Sequence, residues 1–228
     1  YDDAGCDDYD RIARMFICEE DGSDCSEMSR WITPFDRQPH SLTDISPFLS
    51  SIRPGGTKMI LFQESGWPNS LLTLKFRFYD YNESENPKEI QTMWTGTVQF
   101  NPSYDDNRPP MVFTVPDNAT KVEFVSYLTG HGWGSSGCYN CCEFCNSRHI
   151  FTLNGGIYEF SKSHPDASDN DYCMELETII QGVVPNQFGT WGYGRAGWCP
   201  GMDVAPYRVD ITDHIELGDD NILDYSAC

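Results

Sequence analysis

The chain has 228 residues and a formal net charge of -20, from 35 acidic and 15 basic side chains, with ten cysteines. Such a charge repels phosphate backbones and anionic lipid, which argues against nucleic acid and anionic membranes as partners. No run approaches the roughly 18 consecutive apolar residues of a membrane-spanning helix, and the length admits one large domain or two small ones.

The chain starts at Tyr1 inside an acidic run, as a processed or excised chain would. Amphipathic helices are not expected, and strand patterns recur along the whole length. In chain order the candidates are Arg11–Ile17, Trp31–Phe35, Lys58–Phe62, Leu72–Phe78, Thr92–Phe100, Met111–Val115, Val122–Ser126, His149–Leu153, Ile157–Phe160, Met174–Ile180 and Tyr207–Ile211. The clearest is Leu72–Phe78, where Leu72, Leu74, Phe76 and Phe78 alternate with Thr73, Lys75 and Arg77. It is expected to lie antiparallel to Lys58–Phe62, joined through Glu64–Trp67. Asn154-Gly155-Gly156 accepts positive φ and predicts a hairpin turn. Many short strands at this spacing predict an all-β sandwich fold. The polar, proline-rich stretch Asn101–Pro110 breaks both neighbouring strands and predicts a boundary, with domains 1–105 and 106–228.

An even number of cysteines in a chain rich in Gly, Pro and aromatics predicts disulfides, and hence a secreted or lumenal protein. Cys18 and Cys25 flank a short acidic turn between two strand candidates and are expected to pair. Cys138, Cys141, Cys142 and Cys145 crowd eight residues. Zinc is not expected there, because adjacent Cys141 and Cys142 point apart and four thiolates must surround a metal tetrahedrally; local i,i+4 disulfides are the better reading. The sequons at Asn82 and Asn118 are candidate glycosylation sites. The five histidines are scattered, with no His-x-His pair, and read as surface or satisfied core residues. The acidic clusters at Asp2–Asp10 and Asp166–Asp171 do not follow a calcium-loop pattern and read as solvated loops.

Three segments are too specific for ordinary surface: Cys6-Asp7-Asp8-Tyr9-Asp10-Arg11, Arg30-Trp31-Ile32-Thr33-Pro34-Phe35, and Gly189–Gly201. The last packs three aromatics (Trp191, Tyr193, Trp198), Arg195, Cys199 and five glycines into thirteen residues. Glycines let backbone approach another group closely, aromatics stack on sugar faces, and arginine holds polar groups.

These segments, with Cys141-Cys142-Glu143-Phe144-Cys145 followed by His149, resemble the peptide-N-glycosidase F family along nearly the whole chain. The run Arg195-Ala196-Gly197-Trp198-Cys199-Pro200-Gly201-Met202 is the most specific element of the resemblance. It implies two side-by-side antiparallel jelly-roll (β-sandwich) domains with an active site in the cleft between them. It also implies an amidase that cuts N-linked glycan from asparagine of a glycoprotein or glycopeptide, with no cofactor and no metal. The catalytic residues it implies are Asp10, with Glu64 and Glu143 in support. Arg195, Arg11, Trp67, Tyr9 and Trp191 fall on the substrate side. Cys141–Cys145 and Cys173–Cys199 are the disulfides the family pattern implies; the pairings of Cys138, Cys142, Cys6 and Cys228 stay open, Cys138–Cys142 being one option, with Cys6 and Cys228 pairing together or with segments elsewhere. The family's opening strands and closing strand are expected to lie outside this chain. Tyr9 stands where the family has tryptophan, and Cys142 where it has alanine. A reading from another class is a non-catalytic module that binds glycan or builds a larger extracellular assembly with other chains.

Overall fold

The computed structural model describes residues 9–64, 71–79, 87–132, 142–185 and 190–228. Nine β-strands and two short α-helices are assigned there, and every ladder is antiparallel. The chain is all-β, as its patterning predicts.

Two compact units are present. The first combines Tyr1–Ile90 with Leu176–Trp191 and Pro200–Asp203. Its sheet has the order β2-β1-β3, with β1 at Ile12–Glu19, β2 at Ser26–Ile32 and β3 at Lys58–Glu64. The central strand β1 buries residues from both faces, including Ala13, Met15, Phe16, Ile17 and Cys18. The Cys18–Cys25 disulfide closes the β1–β2 turn, as expected. Gly22 at φ 84° and Asp24 at φ 47° supply the left-handed backbone that turn requires. β2 lies earlier than Trp31–Phe35. The tight turn starts it at once after Cys25, and the last rung is the Thr33 N–H donating to the Arg11 carbonyl at 2.9 Å. Pro34 has no N–H to continue the ladder, and Asp36 at φ 47° turns the chain.

Leu72–Phe78 is not a strand: residues 71–79 are exposed and lie in no ladder. Alternation reports one apolar face, but a strand also needs a partner. Among the described residues, the one ladder assigned to β3 is with β1. Met174–Ile180 is likewise not a strand. Tyr172–Met174 is a 3-10 turn, and α1 at Leu49–Ile52 is joined in the helical class by α2 at Leu176–Ile180. Leu176, Ile179 and Ile180 fit i, i+3, i+4 as well as they fit alternation, and Gly182 at φ 117° ends the helix.

The second unit holds Gln91–Glu175, Gly192–Cys199 and Val204–Cys228. A four-stranded sheet has the order β4-β9-β6-β7, with β4 Met111–Thr114, β6 Ser147–Leu153, β7 Tyr158–His164 and β9 Asp220–Ala227. A second sheet pairs β5 (Glu123–Ser126) with β8 (Tyr207–Asp210). Phe124 and Ile211 pack with Phe151, Phe160, Leu223 and Tyr225 into one core, so the two sheets form a sandwich. The turn from β6 to β7 runs through Asn154, Gly155 and Gly156, all at positive φ, as predicted. Thr92–Phe100 shows burial alternation but no ladder. Gly96 at φ 77° breaks its extended run, and Arg108 takes the carbonyls of Thr95 and Gly96 at 3.0 and 3.2 Å.

The inward face of β6 starts polar, with Ser147 and His149 ahead of Phe151 and Leu153. His149 Nδ1 lies 2.7 Å from the Tyr225 hydroxyl, which is 2.9 Å from that of Tyr104. Ser147 Oγ lies 3.2 Å from His164 Nδ1. Burial, then the positive charge of His164 on His149 and of Lys162 on His164, pushes both histidines down to about 4. The native state therefore binds fewer protons than the unfolded chain between about pH 4 and the ordinary histidine pKa near 6.5. The stability this provides is complete above about pH 6.5 and is lost as pH falls toward 4, on the order of 3 kcal/mol per histidine. Urea midpoints measured from pH 8 to pH 4 should fall most steeply in that window. His149→Gln should flatten the fall, and an unchanged profile in that variant would rule this source out.

Candidate active site

In the second unit, Glu143 and Arg195 come together although 52 residues separate them. Both are buried, at 6% and 2% exposure. Arg195 Nε donates to Glu143 Oε1 at 2.9 Å, and the Gly132 N–H donates to Oε2 at 2.6 Å. Arg195 Nη1 donates to the Tyr193 carbonyl at 2.8 Å, and its guanidinium lies over the rings of Trp198 and Phe144 at 4.8 and 5.1 Å. Each carboxylate oxygen can accept from more than one donor, so Glu143 is oriented and retains acceptor capacity for a water or an incoming N–H.

Backbone contacts hold this pair. The Ala196 N–H donates to the Glu143 carbonyl at 2.9 Å, and the Gly130 N–H to the Ala196 carbonyl at 2.8 Å. Trp198 Nε1 donates to the Gly130 carbonyl at 2.6 Å. Gly130–Gly132 is thus a strap across the motif. A Cβ at Gly130 would fall 2.5 Å from the Cys142 carbonyl oxygen and 2.9 Å from Ala196 Cβ, so only glycine fits. Gly132 and the strap carried no residue-type pattern that pointed to a site, because a backbone N–H donor can belong to almost any residue. The Cys142 thiol donates to the Gly132 carbonyl at 3.4 Å.

The Cys173–Cys199 disulfide anchors the loop that carries Arg195, and both cysteines are fully buried. Cys173→Ala/Cys199→Ala is expected to lower unfolding free energy by about 3 kcal/mol, given the loop it closes. A urea titration of the oxidised proteins measures this, and coincident midpoints would refute it. Cys145 is also disulfide-bonded. Cys141, its expected partner, lies outside the described residues, as do Cys6, Cys138, Trp67 and Asn82. Cys228 is an exposed thiol.

In the first unit, Asp10 and Arg11 lead into β1. The Arg11 N–H donates to Thr33 Oγ1 at 2.9 Å, and its guanidinium lies 5.2 Å from the centroid of the exposed Tyr9 ring. Glu64 ends β3 opposite Ala13. Asp10 is three residues upstream of Ala13, about 10 Å along an extended chain. Asp10 and Glu64 therefore sit at the same end of one sheet. Trp31 is also opposite Ala13 and stacks on Phe62 at 5.8 Å, on the face that Glu64 shares. Glu64 Oε2 is buried without a hydrogen-bond partner. Trp191 is half-buried.

A carboxyl that sequence patterning did not single out lies across the same row. Asp203 bridges Trp31, and Thr43 Oγ1 donates to its Oδ1 at 2.6 Å while lying 2.9 Å from Ser29 Oγ. Burial pushes Asp203 up to about 6, with the Thr43 hydrogen bond opposing.

The profile described as "Peptide-N-glycosidase F, C terminal" matches residues 99–227. A curated relative, peptide-N(4)-(N-acetyl-β-D-glucosaminyl)asparagine amidase F of Elizabethkingia miricola, is 25% identical over 236 aligned residues. The alignment takes in 93% of this chain and 61% of the relative, so the chain spans about three-fifths of that protein's length. A solved peptide-N(4)-(N-acetyl-β-D-glucosaminyl)asparagine amidase superposes with a TM-score of 0.65 at 18% identity, covering 98% of this chain and 73% of that one. PNGase F from Flavobacterium meningosepticum, described as a glycosylasparaginase, superposes with a TM-score of 0.63 at 18% identity, with 98% and 72% covered. The fold is shared with these structures.

Proposed function

The chain belongs to the peptide-N-glycosidase F family, and we propose that it is an amidase that hydrolyses the bond between an N-linked glycan and asparagine. The observation that carries this reading is the buried Glu143–Arg195 pair, built from two family motifs far apart in sequence and locked by the Gly132 N–H. An amide is a poor electrophile, so its hydrolysis needs an activated water and a protonated leaving nitrogen. Asp10 is the proposed acid–base group. It takes a proton as water oxygen bonds to the side-chain carbonyl carbon of the glycosylated asparagine. It returns the proton to the nitrogen as the C–N bond breaks. Asparagine becomes aspartate and the sugar leaves as a glycosylamine. Glu64 and Glu143 are supporting carboxylates that orient water and sugar. Arg195 holds Glu143, and Arg11, Tyr9, Trp67 and Trp191 are proposed to contact substrate. This chemistry calls for no cofactor.

The disulfides favour a secreted or lumenal protein that meets N-linked glycoproteins or glycopeptides. Asn118 lies on an exposed turn after β4 and is proposed, with Asn82, as an acceptor for glycan on this protein itself. A second reading, a non-catalytic glycan-binding or structural module of an extracellular assembly, is favoured by one observation: the exposed, unladdered apolar segment 71–79.

Incubation with a denatured N-glycoprotein separates the two readings. The amidase releases glycan and leaves aspartate at the former sequon. Folded protein that releases none while retaining glycan affinity would replace the amidase with the binding module.

A further inference from the structure

Gly197 lies at φ 87° in the run that carries Arg195. Its N–H donates to the Arg195 carbonyl at 2.8 Å, closing a γ-type turn centred on Ala196. A Cβ at Gly197 would overlap the Leu128 carbonyl oxygen and fall 2.8 Å from His164 Nε2 and 3.0 Å from its Cε1. One edge of the His164 ring is therefore pressed against the Gly197 backbone, an approach that only glycine permits. That backbone sets where the Arg195 side chain begins. Through the Ala196 N–H it is also tied to the Glu143 carbonyl.

The other edge of the ring is held from the core. Ser147 Oγ lies 3.2 Å from His164 Nδ1 and 3.5 Å from His149 Nε2. His149 Nδ1 meets the Tyr225 hydroxyl at 2.7 Å, and Tyr225 packs in the aromatic core with Phe151 and Phe160. A hydroxyl donates one proton, and a neutral imidazole donates through one nitrogen and accepts through the other. The side chains from Tyr225 to His164 can therefore bond in one continuous direction, which fixes how each ring is turned. An apolar side chain would fill the same space without the cost of burying two imidazoles. What the polar chain adds is a ring of fixed orientation at its end, against Gly197.

We propose that His164 is a positioning residue for Arg195: its ring, oriented through Ser147, braces Gly197 and fixes the backbone from which Arg195 reaches Glu143. The brace lies wholly within the second unit. Its catalytic consequence rests on the amidase reading, in which Arg195 holds Glu143 for the reaction.

Hydrogen exchange on the full chain reads the brace without reference to activity. In His164→Ala the Ala196 and Gly197 amides should exchange about tenfold faster or more. The Ile211 amide, bonded to the Val122 carbonyl at 3.0 Å, should keep its rate. His164→Phe keeps a ring against Gly197 and should restore part of the protection. His164→Asn keeps a polar atom near the Nδ1 position without the ring and should not. If the His164 variants fail to fold, Ser147→Ala carries the test: the ring stays, its orientation is freed, and the same two amides should speed up. In the glycan-release assay the His164→Ala loss should fall on kcat, by about tenfold, with KM within about twofold. Equal acceleration of Ala196, Gly197 and Ile211 would mean general destabilisation and would overturn the brace. Unchanged rates at Ala196 and Gly197, or rescue by Asn and not by Phe, would overturn it too. Local acceleration with an unaltered kcat would overturn the positioning role. Wild-type protein that releases no glycan would remove the amidase reading, and the exchange rates alone would then decide the brace.

Discussion

Asp10→Asn is expected to lower glycan release by at least ~100-fold while leaving the unfolding midpoint within experimental error of the wild type. The substitution keeps the shape of the side chain and removes its capacity to take and return a proton. Asp10 precedes β1 and is only partly buried, and changes at such positions usually shift stability by no more than about 0.5 kcal/mol. The loss should fall on kcat with KM little changed, because the proton moves in the transition state and not on binding. Glu64→Gln should lose less. Its Oε2 is buried without a protein partner, and the amide retains an oxygen that can still accept from water or sugar. An Asp10→Asn variant that kept more than about a tenth of wild-type kcat would remove Asp10 from the chemistry.

The parts of the fold that were legible are those where one face is apolar and the turn has its own chemistry. The pairing of β6 with β7 is of this kind, since Asn154-Gly155-Gly156 marks the turn and the alternation marks the faces. β9 was not legible, although it lies between β4 and β6. Its inward positions begin with Asn221, fully buried, which donates to the Glu216 carbonyl at 2.8 Å and accepts from Asn154 Nδ2 at 3.0 Å. A polar residue on the core face hides the period, because its partners are carbonyls and amides that have no sequence pattern. The segment 71–79 fails in the opposite way: its pattern is plain, and no ladder partner for it is found among the described residues. Around the candidate site, Glu143 and Arg195 were legible through family motifs. What holds Glu143, the Gly132 N–H, was not, nor was Asp203, whose neighbours Thr43 and Trp31 are far away in sequence.

Arg195→Ala is expected to lower unfolding free energy by about 3–5 kcal/mol, as removal of one member of a buried ion pair does. Glu143 would keep its 2.6 Å bond from Gly132 but lose the cation at Oε1, leaving a buried carboxylate half satisfied. Arg195 also packs over Trp198 and Phe144, so part of the loss is packing. Glu143→Gln separates the contributions. The amide oxygen can accept from only one of the two donors, its NH2 then faces the other, and the cation lacks its counter-charge, so Glu143→Gln carries the cost of the broken pair while keeping the packing of Arg195. Glu143→Gln/Arg195→Met removes both charges together. If the two side chains act as a pair, the double variant should be more stable than the sum of the Glu143→Gln and Arg195→Met losses by about 0.5–3 kcal/mol. Glycan release adds a second readout. Glu143→Gln should reduce it by less than Asp10→Asn does, because an orienting acceptor is weakened and no proton carrier is lost. Additive losses in the cycle would mean that the 2.9 Å contact is not energetically coupled, and Arg195 would then serve the loop through its packing and its bond to the Tyr193 carbonyl. A Glu143→Gln variant as inactive as Asp10→Asn would overturn the supporting role given to Glu143 and make both carboxylates essential to the chemistry.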